Sequence, residues 1–359
     1  MKPTNIKGGY DCGPEQQALR NRVTDVLRRN FEAYGYLPLE TASVNYLELL
    51  TYKYAPDAEI VREIYKIRDQ GDRDLGLRFD LTVPFCKYIA MNRNLKMPFK
   101  RYEIGKVWRN GPVKAGRTRE FYQCDVDAVG IAGAHIEAEL MALMVRCYNE
   151  LGIDVVIKYG NRKLMPSDAE TLAKIDKMEK SEAVKYVQKT TCPEVEALQA
   201  CIKELGIEKY CEFAPYIVRG LNVYTGSVWE VFDKKGRITS ALGGGGRYDN
   251  IITNFIDNGV QYPAVGTSFG LEPIMALLSG QAAGASSIDL MLIPLGTESH
   301  CQKIADAYRK DGKRVLVYLG GKTIAKAFEY AAANNIRHAA VVGEDEVKGK
   351  QLNIKEVGK

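Results

Sequence analysis

The sequence 100-KRYEIGKVWRNGPVKAGRTREFYQCDVDAVG-130 contains two strand-like runs separated by a turn. The first run ends at Arg109 and the second begins at Arg119. The segment between them is rich in glycine, proline and asparagine, which favour turns. Strands joined in this way pair antiparallel. We therefore predict an antiparallel pair of strands at 100–109 and 119–130.

The sequence on either side of this pair alternates between helical and strand patterns. Apolar residues recur at helical spacing between Pro14 and Gly35, which predicts a helix over 14–35. Residues 161–213 are polar and lysine-rich, and we interpret them as a small helical insertion. The other predicted elements are strands at 63–69 and 75–84, helices at 86–91 and 135–151, a hairpin of 215–233 with 237–249, and a strand followed by a helix over 264–278.

A second domain is predicted after residues 279–287, whose small residues are typical of a linker. Beyond this linker, strand and helix patterns alternate regularly, which indicates a small parallel or mixed sheet. We therefore divide the chain into a first domain at 1–278, carrying the insertion 161–213, and a second domain at 288–359. The predicted strands of the second domain are 289–296, 314–320 and 337–344, with helices ending at Lys310 and spanning 323–335.

The composition is that of an ordinary folded protein. The chain has 359 residues, 46% hydrophobic and 26% charged, with a net charge of +5, which excludes disorder and a disulfide scaffold. No apolar run approaches the roughly 18 residues of a membrane span, and the first residues lack the apolar core of a signal peptide. We expect a cytoplasmic protein with no membrane partner and with its eight cysteines reduced. The three histidines have no neighbouring ligand at zinc spacing, so no metal site is predicted.

Four arginines stand near the ends of predicted strands: Arg109, Arg117, Arg119 and Arg219. Antiparallel pairing brings the first three to one end of the hairpin. Guanidinium groups bind phosphate and carboxylate oxygens bidentately. Any one of these arginines is more often a plain surface residue, but the group together favours an anionic ligand.

Several acidic and polar residues occupy strand positions. Gln123, Asp125 and Asp127 share one face of their strand, because side chains alternate along a strand. That face is either solvated or functional, and spacing does not decide between the two. Asp80 lies in the apolar run LRFDLTVP, where a carboxylate needs a partner. The run Gly243–Gly246 fails the spacing of a nucleotide-binding loop, so a hairpin or bulge with close backbone approach is the simpler interpretation.

Four segments together resemble the histidyl-tRNA synthetases, which are class II aminoacyl-tRNA synthetases. They are 77-LRFDLTVPF-85, the class II motif 2 region at 102–130, 219-RGLNVYTG-226 and 244-GGGRYD-249. The resemblance extends from 7-KGGYD-11 to the last predicted strand. It implies an α+β fold: a catalytic domain with an antiparallel β-sheet flanked by helices, and a C-terminal α/β anticodon-binding domain. It also implies a homodimer that uses ATP and Mg²⁺ to form histidyl-adenylate and then transfers histidine to tRNA(His).

The resemblance also implies roles for individual residues. Arg109 and Arg219 would be catalytic and, together with Arg117, would bind ATP phosphates; Arg109 would also contact the amino-acid carboxylate. The histidine-binding residues carried over from the family are Asp80, Thr82 and Gln123 at the α-amino group, Asp127 and Tyr224 at the imidazole, and Tyr248 in the wall of the pocket.

The sequence departs from the family pattern at several positions. Pro273 replaces the arginine that ends class II motif 3, which normally stacks on adenine and contacts the γ-phosphate. Gly111 stands where motif 2 usually has an acidic residue. Asn222 and Val223 replace the aspartate and first tyrosine of the family's R-G-L-D-Y-Y segment. The sequence ends at Lys359, before a helix that the resemblance predicts.

These departures leave three functions open. The first is a divergent histidine–tRNA ligase. The second is an inactive paralogue, such as the regulatory subunit of ATP phosphoribosyltransferase, which Pro273 favours but the retained Arg109, Arg219 and GGGRYD segment oppose. The third is a ligase-like enzyme that activates an amino acid for an acceptor other than tRNA.

Overall fold

The structure is a computed structural model that describes residues 2–52, 59–113, 118–175, 178–218, 223–279, 288–321, 323–349 and 351–357. The chain divides into two compact units, Met1–Ser279 and Gly280–Lys359. Within the described ranges, no helix combines the length and the apolar character that crossing a membrane requires.

An eight-stranded sheet organises the first unit. The strands of this unit are β1 (Leu37–Pro38), β2 (Val44–Tyr46), β3 (Lys66–Arg68), β4 (Asp74–Leu77), β5 (Phe99–Trp108), β6 (Glu120–Val129), β7 (Val155–Asn161), β8 (Cys211–Phe213), β9 (Ser227–Asp233), β10 (Gly243–Arg247) and β11 (Ala264–Gly270). The large sheet has the order β1-β5-β6-β11-β10-β9-β7-β8, and β2, β4 and β3 form a small antiparallel sheet. In the large sheet the two outer pairs are parallel and the inner pairs are antiparallel.

The first unit also contains ten helices among the described residues. They are α1 (Pro14–Ala33), α2 (Leu47–Thr51), α3 (Glu59–Arg62), α4 (Thr82–Met91), α5 (Ala134–Glu150), α6 (Ala169–Ile175), α7 (Lys180–Ala183), α8 (Pro193–Glu204), α9 (Asp249–Ile256) and α10 (Leu271–Leu278), with short 3-10 helices at Arg162–Leu164, Val184–Tyr186 and Glu208–Tyr210. Helix α1 packs on one face of the sheet, where the Phe31 ring lies 5.5 Å from the rings of both Tyr102 on β5 and Phe269 on β11. Helix α4 covers the opposite face, where Arg101 on β5 stacks on Phe85. The sheet is therefore buried on both faces.

The second unit has a mixed four-stranded sheet, as its alternating pattern predicts. Its strands are β12 (Leu290–Pro294), β13 (Val315–Val317), β14 (His338–Val342) and β15 (Ile354–Glu356), and its helices are α11 (Glu298–Lys310), α12 (Ile324–Ala333) and α13 (Glu344–Gly349). The order is β13-β12-β14-β15, with the first three strands parallel and β15 antiparallel. Buried residues on both faces of this sheet form two small apolar cores.

Most predicted elements are confirmed, including the central pair β5–β6 and the helix α1. The hairpin predicted at 215–233 and 237–249 is confirmed as the antiparallel pair β9–β10, but its strands are confined to Ser227–Asp233 and Gly243–Arg247. The strand predicted at 75–84 is wrong after Leu77, and the helix predicted from Cys86 begins at Thr82. Asp80 explains this, because its carboxylate accepts a hydrogen bond from the Val83 amide at 2.9 Å and so satisfies a free donor of the first helical turn. Pro84 is tolerated in that first turn. The strand predicted at 63–69 is confined to β3, and 161–213 also contains the end of β7 and all of β8.

Candidate active site

A buried ion pair lies on the inner face of the central strands. Arg101 on β5 and Asp127 on β6 are register partners, and their side chains form an ion pair at 2.8 Å. Tyr248, just before α9, donates a hydrogen bond to the other oxygen of Asp127 at 2.5 Å. All three side chains are buried. Burial alone would lower the pKa of Arg101, but the surrounding carboxylates, Asp127 foremost, raise it above its ordinary value and keep the guanidinium charged.

Asp125 lies two residues before Asp127 on the same face and has fewer partners. The residue paired with Asp125 on the neighbouring strand β11 is Ser268, which hydrogen-bonds to the Asp125 carboxylate. One oxygen of Asp125 has no hydrogen-bond partner among the described residues. Burial first, and then the neighbouring charge of Asp127, raise the pKa of Asp125 to about 7. Burial raises the pKa of Asp127 as well, but the charge of Arg101 opposes this shift, so Asp125 is the carboxyl group that more readily keeps a proton.

A second buried arginine supports this cluster. Arg78 donates to the Glu103 carboxylate at 2.7 Å and to the Thr41 backbone carbonyl at 2.7 Å. Asp80, two residues after Arg78, is also buried and contributes to the negative potential at Asp125. The cluster thus contains four buried carboxyl groups, those of Asp80, Glu103, Asp125 and Asp127, against two buried guanidinium groups. When Asp125 is ionised, the buried carboxylates outnumber the buried guanidinium groups, and this excess of negative charge favours a cationic ligand.

Two glycines make room for the polar side chains. A side chain at Gly266 on β11 would overlap the Asp127 carboxylate, and a side chain at Gly246 on β10 would approach the Tyr224 ring to 2.6 Å. The glycine run is therefore a strand whose missing side chains admit neighbouring groups, as the interpretation of close approach predicts. Tyr224 is half-buried and packs against the apolar cluster that includes Tyr248.

A cleft of about 430 Å³ opens next to this cluster. Arg109 and Gln123 line it on one side, and Ser268 lines it beside Asp125. The remaining described lining residues are Thr118, Phe121, Tyr122, Ala241, Gly243, Gly244, Phe269, Gly270, Glu272 and Pro273. The side-chain oxygen of Gln123 is buried without a hydrogen-bond partner among the described residues. The cleft therefore reaches Ser268, the residue of β11 that is paired with Asp125.

Arg109 links the two ends of this site. Its Nε donates to the backbone carbonyl of Phe79 at 3.0 Å, which places the guanidinium beside Asp80. Its guanidinium also lies 5.0 Å from the centre of the Phe121 ring. A cation thus lines the cleft, next to the residues that supply negative charge.

The departures from the family pattern have structural counterparts. Pro273 is the third residue of α10 and forms part of the cleft wall, so the chain has an apolar surface where the pattern has a cation. The space that a side chain at position 111 would occupy is filled by the Glu63 carboxylate. Glu63 is itself buried, and its backbone carbonyl accepts a hydrogen bond from Asn110 at 2.7 Å. An acidic group is therefore present near this position although the motif residue is glycine.

The structure brings together most of the residues selected from the sequence. Asp80, Asp127 and Tyr248 belong to the buried cluster, and Tyr224 packs beside it. Thr82 is the first residue of α4, and Arg109 and Gln123 line the cleft. Arg117 and Arg219 lie outside the described residues.

Sequence reasoning missed the two buried arginines, Arg78 and Arg101, and Glu63. Arg101 is fully buried, and the strand pattern could have indicated this. Pairing the two predicted strands symmetrically about their turn places Arg101 opposite Asp127. An arginine opposite a strand carboxylate could therefore have indicated a buried ion pair. Glu63 has no such signal, because its contact with Gly111 depends on the fold.

The family comparison covers nearly the whole chain. A sequence model described as "Histidyl-tRNA synthetase" matches residues 8–200 and 168–274, and one described as "Anticodon binding domain" matches residues 289–359. The chain is 40% identical to histidine–tRNA ligase 1 of Bacillus thuringiensis subsp. konkukian, over 97% of this chain and 94% of the relative.

Solved structures agree in fold. The crystal structure of histidyl-tRNA synthetase from Nostoc sp. PCC 7120 is 25% identical, covers 99% of this chain and 94% of its own, and superimposes with a TM-score of 0.82. A Bacillus halodurans structure described as an ATP phosphoribosyltransferase regulatory subunit/histidyl-tRNA synthetase superimposes with a TM-score of 0.78 at 18% identity, over 95% of this chain and 99% of its own. The second likeness concerns the fold alone. By its sequence over both units and by its class II synthetase fold, the chain belongs to the histidyl-tRNA synthetase family.

Proposed function

We infer that the protein is a histidine–tRNA ligase, which activates histidine with ATP and transfers it to tRNA. The observation that carries this function is the 40% identity to a histidine–tRNA ligase over nearly the full length of both chains. This finding does not favour the regulatory paralogue, whose structural likeness here is limited to the fold at 18% identity. The second unit matches an anticodon-binding domain, which fits an enzyme acting on tRNA.

We propose that the anionic cluster binds the α-ammonium group of histidine. Asp80, with Thr82 beside it at the start of α4, and Gln123 are the family positions for this role. One side-chain oxygen each of Gln123 and Asp125 is buried without a hydrogen-bond partner in the described part of the chain, and this supports the proposal because a ligand donor would satisfy such an acceptor. An arriving ammonium group would favour the charged form of Asp125 and displace its proton.

Asp127, Tyr224 and Tyr248 are proposed to recognise the imidazole ring. An ionised carboxylate offers about four acceptor sites, and Arg101 and Tyr248 occupy two of those on Asp127. The remaining sites can accept the imidazole N–H. A side chain that cannot donate leaves this buried acceptor unsatisfied, so the pocket discriminates against apolar amino acids of similar size.

The cleft is proposed to hold ATP. Arg109 lines it beside Asp80, so one guanidinium can contact both the amino-acid carboxylate and the α-phosphate. Positioned guanidinium groups stabilise the charge that develops when the carboxylate attacks phosphorus. Arg117 and Arg219 are assigned to the phosphates by family position, with Arg219 on the α-phosphate.

Mg²⁺ fits the donors of this cleft. Mg²⁺ prefers oxygen ligands and is commonly held by one or two carboxylates together with substrate phosphates. Glu272 lines the cleft with a carboxylate that also accepts a hydrogen bond from the Tyr122 amide at 3.0 Å. We propose that Glu272 holds the ion, which when bound neutralises phosphate charge. A homodimer and a cytoplasmic location are also proposed from family membership, and sedimentation of the purified chain tests the first.

ATP–pyrophosphate exchange with each of the twenty amino acids tests the proposed function. We expect exchange with histidine alone, followed by charging of tRNA(His). Exchange with another amino acid would overturn the pocket assignment, and exchange without tRNA charging would indicate another acceptor. Histidine binding without exchange would indicate the inactive paralogue.

Replacing Arg219 with alanine tests the proposed catalytic role. We expect exchange to be abolished while the urea midpoint of unfolding stays unchanged, because the residue acts on charge that develops during the reaction. Equal exchange rates in the variant and the parent would contradict the assignment.

A further inference from the structure

Three metal-binding side chains meet at the surface between α5 and α8, away from the cleft. His135 lies in the first turn of α5, and Cys201 and Glu204 lie one turn apart near the end of α8. The imidazole Nδ1 of His135 is 3.3 Å from the sulfur of Cys201. The donor atoms of all three residues lie within 4.8 Å of one another. Among the described residues, no other group of three or more His, Cys, Asp or Glu side chains lies close enough together to share a metal ion.

The spacing fits the coordination shell of zinc. Zn–S bonds of about 2.3 Å and Zn–N bonds of about 2.0 Å at a tetrahedral angle place the two ligand atoms about 3.5 Å apart. The observed separation of sulfur and nitrogen is close to this value. Glu204 is exposed, so rotation of its side chain can bring a carboxylate oxygen to the same ion. Thiolate, imidazole and carboxylate are the three side-chain ligand types that zinc uses.

The burial pattern also fits a metal site at a helix interface. Cys201 is only 5% exposed and lies on the packed face of α8, whereas His135 and Glu204 are exposed. An ion held by these three side chains would have its sulfur ligand inside and its fourth position open to water. Zinc sites with three protein ligands keep such an open position.

The three ligands come from two parts of the chain. α5 follows the central strand β6 directly, whereas α8 belongs to the segment that the sequence predicts as an insertion. A bound ion would therefore tie the inserted helix to the catalytic sheet. Metal binding that occurs only in the folded state stabilises that state.

We propose that His135, Cys201 and Glu204 form a zinc-binding site that fixes α8 against α5. The site is separate from ATP and histidine binding and does not depend on the function proposed above. The sequence alone predicts no metal site here, because His135 and Cys201 are 66 residues apart and no short motif connects them.

Cobalt binding to the full-length chain tests the site. The protein is reduced, stripped with a chelator and titrated with Co²⁺ in the absence of oxygen. We expect a thiolate-to-cobalt charge-transfer absorption that saturates at one ion per chain and disappears when one equivalent of Zn²⁺ is added. Cys201→Ser should abolish the absorption, and His135→Ala and Glu204→Gln should each weaken Co²⁺ binding at least about tenfold.

Matched variants separate this site from the other thiols and imidazoles. Cys211→Ser and His300→Ala leave the three ligands intact and should bind Co²⁺ like the parent. His135 and Glu204 are exposed, so their variants should fold even if Cys201→Ser does not. Zn²⁺ should raise the unfolding temperature of the parent but not that of His135→Ala. The proposal is overturned if the absorption is absent, if it persists in Cys201→Ser, or if His135→Ala and Glu204→Gln bind as tightly as the parent.

Discussion

Replacing Asp125 with asparagine is expected to stabilise the protein at alkaline pH and to weaken histidine binding. The parent carboxyl group is buried beside Asp127, and one of its oxygens has no partner among the described residues. An amide of nearly the same shape carries no charge, so it removes the repulsion. The same change removes a negative charge from the site proposed for the α-ammonium group.

The size of the effect follows from the pKa of Asp125, which burial and Asp127 raise from 3.8 to about 7. The folded state therefore holds a proton that the unfolded chain has lost, and the free energy of unfolding falls as the pH rises from about 4 to about 7. Each pKa unit corresponds to about 1.4 kcal/mol, so the full penalty above pH 7 is about 4 kcal/mol. About 1–2 kcal/mol of this penalty is already present at pH 5. The stability difference between the variant and the parent should grow by about 3 kcal/mol from pH 5 to pH 8.

Urea unfolding followed by tryptophan fluorescence measures this change. Both tryptophans, Trp108 and Trp229, lie in the first unit, so the signal reports the unit that contains Asp125. The hydrogen bonds of the new amide do not titrate. They therefore do not affect how the difference in the free energy of unfolding between variant and parent changes with pH.

Asp233→Asn is the matched control. Hydrogen bonds from Arg237 lower the pKa of Asp233, so its contribution to stability is present above the unfolded pKa and is lost only at lower pH. This variant should be destabilised equally at pH 5 and pH 8. A stability difference for Asp125→Asn that is likewise constant, or that shrinks with pH, would refute the reasoning.

The histidine KM tests the second half of the prediction. Loss of a charged hydrogen-bond acceptor costs about 1.5–3 kcal/mol, which corresponds to a rise of about 10- to 100-fold in the KM for histidine. The KM for ATP should change little. An unchanged histidine KM in a folded variant would remove Asp125 from the substrate site and leave the stability argument intact.

Three further substitutions test other parts of the site. Arg101→Met should lower the free energy of unfolding by about 3–5 kcal/mol, because it leaves Asp127 unpaired and buried; a loss below about 1 kcal/mol in urea would contradict this. Pro273→Arg should lower the KM for ATP roughly tenfold by supplying a charged donor to the cleft, whereas an unchanged KM would show that another cation already serves. Gly111→Glu matches the family pattern but should lower stability by about 1–3 kcal/mol without improving the KM for ATP, because the Glu63 carboxylate occupies the space; improved ATP use would refute this.

Local sequence signals predicted the sheet well and the entry to α4 badly. The β5–β6 pair was predictable because its turn formers and alternating side chains agree with its tertiary setting. The run 75–84 is mostly apolar, and a short apolar run is compatible with either a buried strand or a buried helix. Periodicity therefore could not separate the two structures. Asp80 decided the outcome by capping the helix at Val83. An acidic residue directly before a proline-containing apolar run, here Asp80 before 81-LTVPF-85, could have been interpreted as a helix start.

The candidate site was predictable in its residue types but not in its pairing. Alternation placed Gln123, Asp125 and Asp127 on one face, yet whether that face is solvated depends on α4, which covers it from elsewhere in the chain. The same limit applies to Glu63 at Gly111 and to His135 with Cys201. Contacts between distant segments depend on tertiary packing. A single sequence, considered by itself, carries no direct signal of them.

The glycines and the carboxylates of the central sheet depend on one another. Gly266 has no side chain where the Asp127 carboxylate lies, and the backbone at Gly245 comes close to that of Gly266 on the neighbouring strand. Glycine weakens a strand because it contributes no packing side chain. Here the lost packing gives a buried anion enough space to keep Arg101 on one side and Tyr248 on the other. A single methyl group at position 266 would overlap the Asp127 carboxylate and force it to move away from both partners, so the glycine at 266 is a structural requirement of the histidine site proposed here.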